Sequence, residues 1–280
     1  MLYLILAIAS SAMVSVIMRL SDRKVTGNIA MLTVNYLMCF LVAWFGAGFG
    51  NLFPASDGLA GALAMGGING ALYLGGFVLL QINVRRNGVV LSSTFMKLGL
   101  LVSIAVSVLF FREVPDLLQV IGFCLAVAAI LLINYKKDPG NGTADFKLGL
   151  VLMLLAGGMA DAMSKIFEEL GNPALEPQFL AYTFLVALIL CSVLMHRKGQ
   201  RPGKWELIFG LLIGIPNFYS AKFLLGALTR IPAVIVYPVY SVATILVVSM
   251  IGVLAFRERL EKKQWFAMGL ILVALVLLNV

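Results

Sequence analysis

Charge is scarce in this sequence, and so are the residues that carry most polar chemistry. Acidic and basic residues together make up 12% of the 280 positions, and His196 is the one histidine. A chain so poor in charge has no surface for a sizeable soluble domain. An intramembrane enzyme would need a catalytic pair inside its spans, but there is no His-Glu-x-x-His and only one clearly embedded carboxylate, so no enzyme, cofactor or metal centre is expected. The three cysteines, Cys39, Cys124 and Cys191, are scattered through apolar stretches and imply no disulfide framework. Long polar linkers are also missing, and the longest loops run to about a dozen residues.

What is abundant is apolar length. Hydrophobic residues make up 61% of the chain, and the mean hydropathy is +1.02. A helix needs about 20 apolar residues to cross the hydrocarbon of a bilayer, and ten such stretches are present. They cover 1–18, 28–49, 58–80, 88–111, 115–134, 148–167, 174–195, 205–228, 231–256 and 263–280. Met1 is followed at once by apolar residues without a basic leader, so the first span is expected to be retained. The fold class is therefore an all-α integral membrane protein with ten transmembrane helices.

The net charge of +8 marks topology rather than nucleic acid. Loops after the odd-numbered spans, with the adjoining span ends, hold 16 lysines and arginines, and those after the even-numbered spans, counted the same way, hold 3. By the positive-inside rule the basic loops are cytoplasmic, and both termini lie outside a plasma (bacterial inner) membrane.

The chain also repeats itself. Phe111 to Asn134 matches Phe256 to Asn279 without gaps, and the shared polar residues are Arg112/Arg257, Glu113/Glu258, Gln119/Gln264 and Asn134/Asn279. A repeat at half the chain length implies duplication. Five spans per half is an odd number, so the halves, 1–137 and 144–280, enter the membrane from opposite sides as inverted repeats. Such repeats place a substrate site near the midplane between them.

The stretch FRERLEKKQWFAMGLILVALVLLN resembles the signature of EamA-type members of the drug/metabolite transporter superfamily. The matching positions are Glu258, Gln264, Trp265 and Gly269, with Glu113 and Gln119 in the first half. Span nine is similar to the family's Tyr-Pro helix at Tyr237 and Pro238. The first half departs from the pattern: span four has no Tyr-Pro, no Trp follows Gln119, and Lys97 sits where such helices are usually uncharged. The resemblance implies a secondary transporter working by alternating access without ATP, often an exporter of amino acids or other metabolites.

Three formal charges fall deep inside spans, more than one turn from either end, where each should face a partner or water. Counted at 1.5 Å per residue, Lys97 lies about 4 Å to the inner side of the midplane, Asp161 about 5 Å and Lys222 about 8 Å to the outer side. Similar depth suggests an Asp161–Lys222 ion pair; the alternative is that Asp161 is a proton or cation site coupled to cargo movement. Lys97 has no evident acidic partner at its level, so it is either held neutral or meets an anionic group such as a cargo carboxylate. Asn69, Tyr73, Asn217, Tyr219, Tyr237 and Tyr240 are the polar side chains expected beside it in a substrate site. A break in span eight is expected at Pro216-Asn217, since proline frees a backbone carbonyl there.

Glu113 and Glu258 are expected to serve a local ion pair or a helix cap, Arg19 and Lys165 to snorkel, and His196 to be solvated. Spans five and ten, nearly free of polar residues in their middles, are expected to be peripheral.

Two embedded lysines against one aspartate favour an anionic or zwitterionic small molecule such as an amino acid. An organic cation (choline, a polyamine or a drug-like amine) held by tyrosines is the weaker alternative, followed by a lipid flippase or a passive channel. Cargo, direction, coupling ion (proton or other), and monomer or homodimer remain open at this level.

Overall fold

The structure is a computed structural model and describes residues 1–22, 24–48, 51–134, 147–256 and 262–279. Arg23, Arg257, Glu258, Arg259 and the expected limits of the halves at 137 and 144 lie outside the described residues.

The described residues are all helical apart from turns. In order they form α1 (Leu2–Ser21), α2 (Asn28–Gly46), α3 (Leu59–Asn87), α4 (Val89–Lys97), α5 (Leu100–Phe111) and α6 (Leu117–Asn134). There follow α7 (Lys147–Leu170), α8 (Glu176–Arg197), α9 (Lys204–Leu228), α10 (Ala233–Phe256) and α11 (Lys262–Asn279). Among the described residues nine segments are long and apolar enough to cross a membrane, with α4 and α5 together making one of them, and α6 is a shorter apolar helix. This is a multi-pass membrane protein, with ten apolar helical segments among the described residues, nine of them long enough to span.

Local chemistry sets several helix ends. Gly88, at φ +80°, supplies the left-handed residue that separates α3 from α4. Arg112 takes φ 57°, and the N–H of the next residue, Glu113, donates to the Ser107 carbonyl at 3.3 Å, which closes α5. Asp116 and Gln119 form a reciprocal capping box at the start of α6: the Gln119 N–H donates to the Asp116 carboxylate at 2.8 Å, and the Asp116 N–H to the Gln119 side-chain carbonyl at 3.2 Å. One of the repeated polar residues is thus a helix-start device.

The chain divides into two compact units that cut across the sequence repeat. The first holds Met1–Leu74 and Met163–Arg230, the second Gly75–Ala162 and Ile231–Val280. Each therefore combines corresponding helices from the two halves of the chain.

In the first unit α2 packs on α8 and α9, and α1 packs on α9. Two glycine pairs at i, i+4 allow close approach. A methyl at Gly66 or Gly70 would sit 2.8 or 2.4 Å from the α8 carbonyls of Phe179 and Thr183, and one at Gly210 or Gly214 about as close to Val34 and Met38 of α2. In lipid, where apolar contact gives helices no advantage over lipid tails, such small residues let backbones meet.

In the second unit α6 and α11 pair with each other, and their Ala126, Ala129, Ile130, Ile271 and Ala274 share a core with Leu100 of α5 and Val242 of α10.

Candidate functional site

The second unit holds the one interruption of a spanning helix among the described residues. After Lys97 the chain turns through Leu98 and Gly99 and restarts at Leu100. The backbone is drawn tight there, with i to i+3 bonds from Gly99 N–H to the Met96 carbonyl and from Val102 N–H to the Gly99 carbonyl. The turn rests directly on α7: a methyl at Gly158 would lie 2.2 Å from the Gly99 carbonyl oxygen, and one at Gly99 3.0 Å from the Gly158 nitrogen. Ser103 then donates its hydroxyl to the Gly158 carbonyl at 2.9 Å. Two glycines and a serine thus lock the broken helix onto its neighbour.

Charges flank that contact. Lys97 ends α4, two residues before Gly99, and its side chain is exposed. Asp161, three residues after Gly158 and partly buried, is the opposite charge acting on Lys97, and Lys97 acts on it in turn. Tyr237 of α10, 1% exposed, donates its hydroxyl to the Asp161 backbone carbonyl at 2.8 Å, so this tyrosine fixes the helix that carries the aspartate. Tyr240 follows one turn later and is half-buried, and Thr244, one turn further on, is buried with its hydroxyl lacking a hydrogen-bond partner among the described residues.

These facts correct one expectation: Lys97 does have an acidic neighbour, Asp161. Asp161 belongs to the second unit and Lys222 to the first, where Glu176, at the start of α8, is the acidic neighbour of Lys222. Equal depth along the membrane normal fixes one coordinate only; the rotation of each helix decides which charges face each other.

The first unit gathers the remaining candidates on its own. Asn217 donates to the Asn35 side-chain carbonyl at 3.2 Å and approaches the Cys39 sulfur at 3.6 Å, while the Cys39 thiol donates to the Gly214 carbonyl at 3.2 Å. The expected break at Pro216 is therefore not found: α9 runs unbroken from Lys204 to Leu228. Asn217 engages α2 rather than its own backbone. Asn69 is 2% exposed, and its side-chain carbonyl lacks a hydrogen-bond partner among the described residues. Tyr73 meets Phe184 edge-on at 6.2 Å, and from there a row continues through Phe218, the exposed Tyr219 and Phe223.

Three residues outside the candidate set matter to helix ends. Glu206 of α9 accepts from the backbone N–H groups of Thr26 (3.0 Å) and Gly27 (3.2 Å), and Gln200 from that of Ala30 (3.3 Å), so the α8–α9 loop region caps α2. Glu113 accepts from the Val234 N–H of α10 at 3.2 Å, a cap placed on a different helix from its own. A carboxylate at the end of the basic run HRKGQRPGKWE was the available signal for Glu206.

Lys165 does not snorkel: at 3% exposed it binds Glu168 and Glu169 of its own helix at 2.7 and 2.6 Å. Those glutamates sit one turn away and reach the ammonium before the interface does. Of the three cysteines, Cys39 and Cys191 are buried and Cys124, on α6, is exposed.

A ten-segment apolar helical chain with duplicated halves and an interrupted, charge-bearing span has the build of a membrane transporter. The sequence matches the EamA-like transporter family twice, over residues 1–135 and 147–280, and the chain belongs to that family. An uncharacterized protein of Haemophilus influenzae is 24% identical over 273 residues, covering 94% of this chain and 92% of that one. A crystal structure of a protein 14% identical superposes with a TM-score of 0.75 over 99% of this chain and 94% of that one, which supports the fold alone.

Proposed function

We propose that this EamA-family transporter is a secondary active exporter of a small anionic or zwitterionic metabolite, an amino acid being the leading class. The halves 1–137 and 144–280 are threaded with opposite sense, both termini lie outside, and cargo crosses by alternating access. The observation that carries this reading is Lys97: an exposed ammonium at the end of a half-helix inside a span, with Asp161 as its acidic neighbour but, among the described residues, no ion pair closed between them.

The test is counterflow into proteoliposomes preloaded with unlabelled solute, comparing amino acids and small carboxylates with choline and polyamines. Saturable exchange of the first group supports the proposal, and exchange confined to the cations contradicts it. The cation reading has one observation of its own, the aromatic row from Tyr73 to Phe223, since aromatic faces hold organic cations.

A further inference from the structure

Lys97 and Asp161 belong to the same unit and act on each other electrostatically, yet among the described residues neither side chain makes a hydrogen bond or an ion pair. Lys165 shows the contrast: with carboxylates one turn away it closes on both at under 3 Å. What keeps Lys97 and Asp161 apart is their register across the Gly99–Gly158 contact. Spans four and six run in the same direction through the membrane when each intervening span crosses once. Lys97 lies two residues before that contact and Asp161 three residues after it, which offsets them by roughly 7 Å along the helix axes.

The offset is rigid. The Gly99–Gly158 backbone contact, the Ser103 bond and the Tyr237 bond hold both backbones in place. Two opposite charges held apart, with a charge-assisted hydrogen bond of about 2.8 Å available at each end, match a ligand that itself carries both charges at short separation.

We propose that Lys97 and Asp161 form a divided clamp for a zwitterion: the Lys97 ammonium takes the carboxylate of an α-amino acid, and the Asp161 carboxylate takes its ammonium group. This rests on the transporter reading above and narrows it, because a simple carboxylate would leave Asp161 uncompensated and a simple amine would leave Lys97 so. Discrimination follows from the unmatched charge rather than from added contacts. Tyr237 is a positioning residue here, since its hydroxyl holds the Asp161 backbone and not the cargo.

The experiment is counterflow of labelled alanine, leucine and phenylalanine in proteoliposomes, each challenged with its deaminated acid and its decarboxylated amine. In the wild type only the intact amino acids are expected to compete, by at least tenfold over either half-molecule. Asp161→Asn is expected to let the acids compete as well as the amino acids. Lys97→Met is expected to abolish amino-acid counterflow and, read instead by the rise in melting temperature on adding each solute, to leave the amines as the better ligands. The paired exchange Lys97→Asp with Asp161→Lys is expected to recover preference for the intact amino acids. Melting temperatures of the purified variants establish that each is folded.

Equal competition by an acid or an amine in the wild type overturns the clamp while leaving the transporter reading intact. So does a shift of both single variants in the same direction. A wild type that moves none of the three classes overturns both. Should the single variants not reach the membrane, the wild-type competition decides the matter alone.

Discussion

Spans four and eight make an instructive pair. Span eight contains Pro216 followed by Asn217, the usual ingredients of a broken helix, and α9 nevertheless runs straight through them. Span four contains no proline, and it is interrupted at Leu98–Gly99. The difference lies in what each backbone packs against. In α9 the polar groups near the proline are absorbed across the helix pair, Asn217 by Asn35 and the Gly214 carbonyl by the Cys39 thiol. In span four, Gly99 is pressed against Gly158 so closely that neither can carry a side chain without displacing the other. A helix interior breaks where a neighbour needs the space, and the residue type only permits it.

Several substitutions would break or sharpen that comparison. Gly158→Ala places a methyl against the Gly99 carbonyl, and overpacking of this kind costs about 1–3 kcal/mol or more. The largest loss of melting temperature in detergent is expected there, with loss of transport alongside it. Asn217→Ala leaves the buried Asn35 carbonyl only the Cys39 thiol at 3.8 Å, for a loss of about 1–3 kcal/mol by the same measurement. Glu113→Gln removes the charge from the cap on α10, and about 1 kcal/mol or less is expected; hydrogen exchange at Val234 should rise before global stability falls. Pro216→Ala should change stability least, by under about 1 kcal/mol, because α9 is already continuous. A Pro216→Ala effect as large as that of Gly158→Ala would remove the contrast between the two spans.

Most of the helical layout could be read from apolar length, because a helix crossing hydrocarbon must be long, apolar and internally bonded. The spans expected at 28–49 and 205–228 correspond to α2 and α9 within a few residues. The expected end of span three at 80 is seven residues short, since α3 continues through Arg85 and Arg86 to Asn87. Hydropathy marks where a helix leaves the lipid and is silent on where its hydrogen bonds stop.

The site was less legible. Lys97 and Asp161 stood out as charges in apolar runs, but their relation did not, because it depends on which way two helices separated by a third are turned. The break at Gly99 was hidden for a related reason: its cause is Gly158, far away in sequence. Roles that a short local pattern determines were easier to anticipate. Gln119 sits three residues after Asp116, the spacing of a capping box, and the structure forms one. Glu113 was expected near a helix cap or an arginine, and its capped helix proved to be α10, on the other half of the chain.

The central claim is that a positive charge at position 97, inside a span, is what the cargo binds. It can be tested with Lys97→Cys in a background where Cys39, Cys124 and Cys191 are replaced by alanine. Proteoliposome counterflow of a labelled amino acid is measured before and after treatment with methanethiosulfonate reagents. Inactivity of the untreated variant, restored by the aminoethyl reagent and not by the sulfonatoethyl reagent, is the predicted result. Full counterflow without treatment, or equal recovery with both reagents, would contradict it.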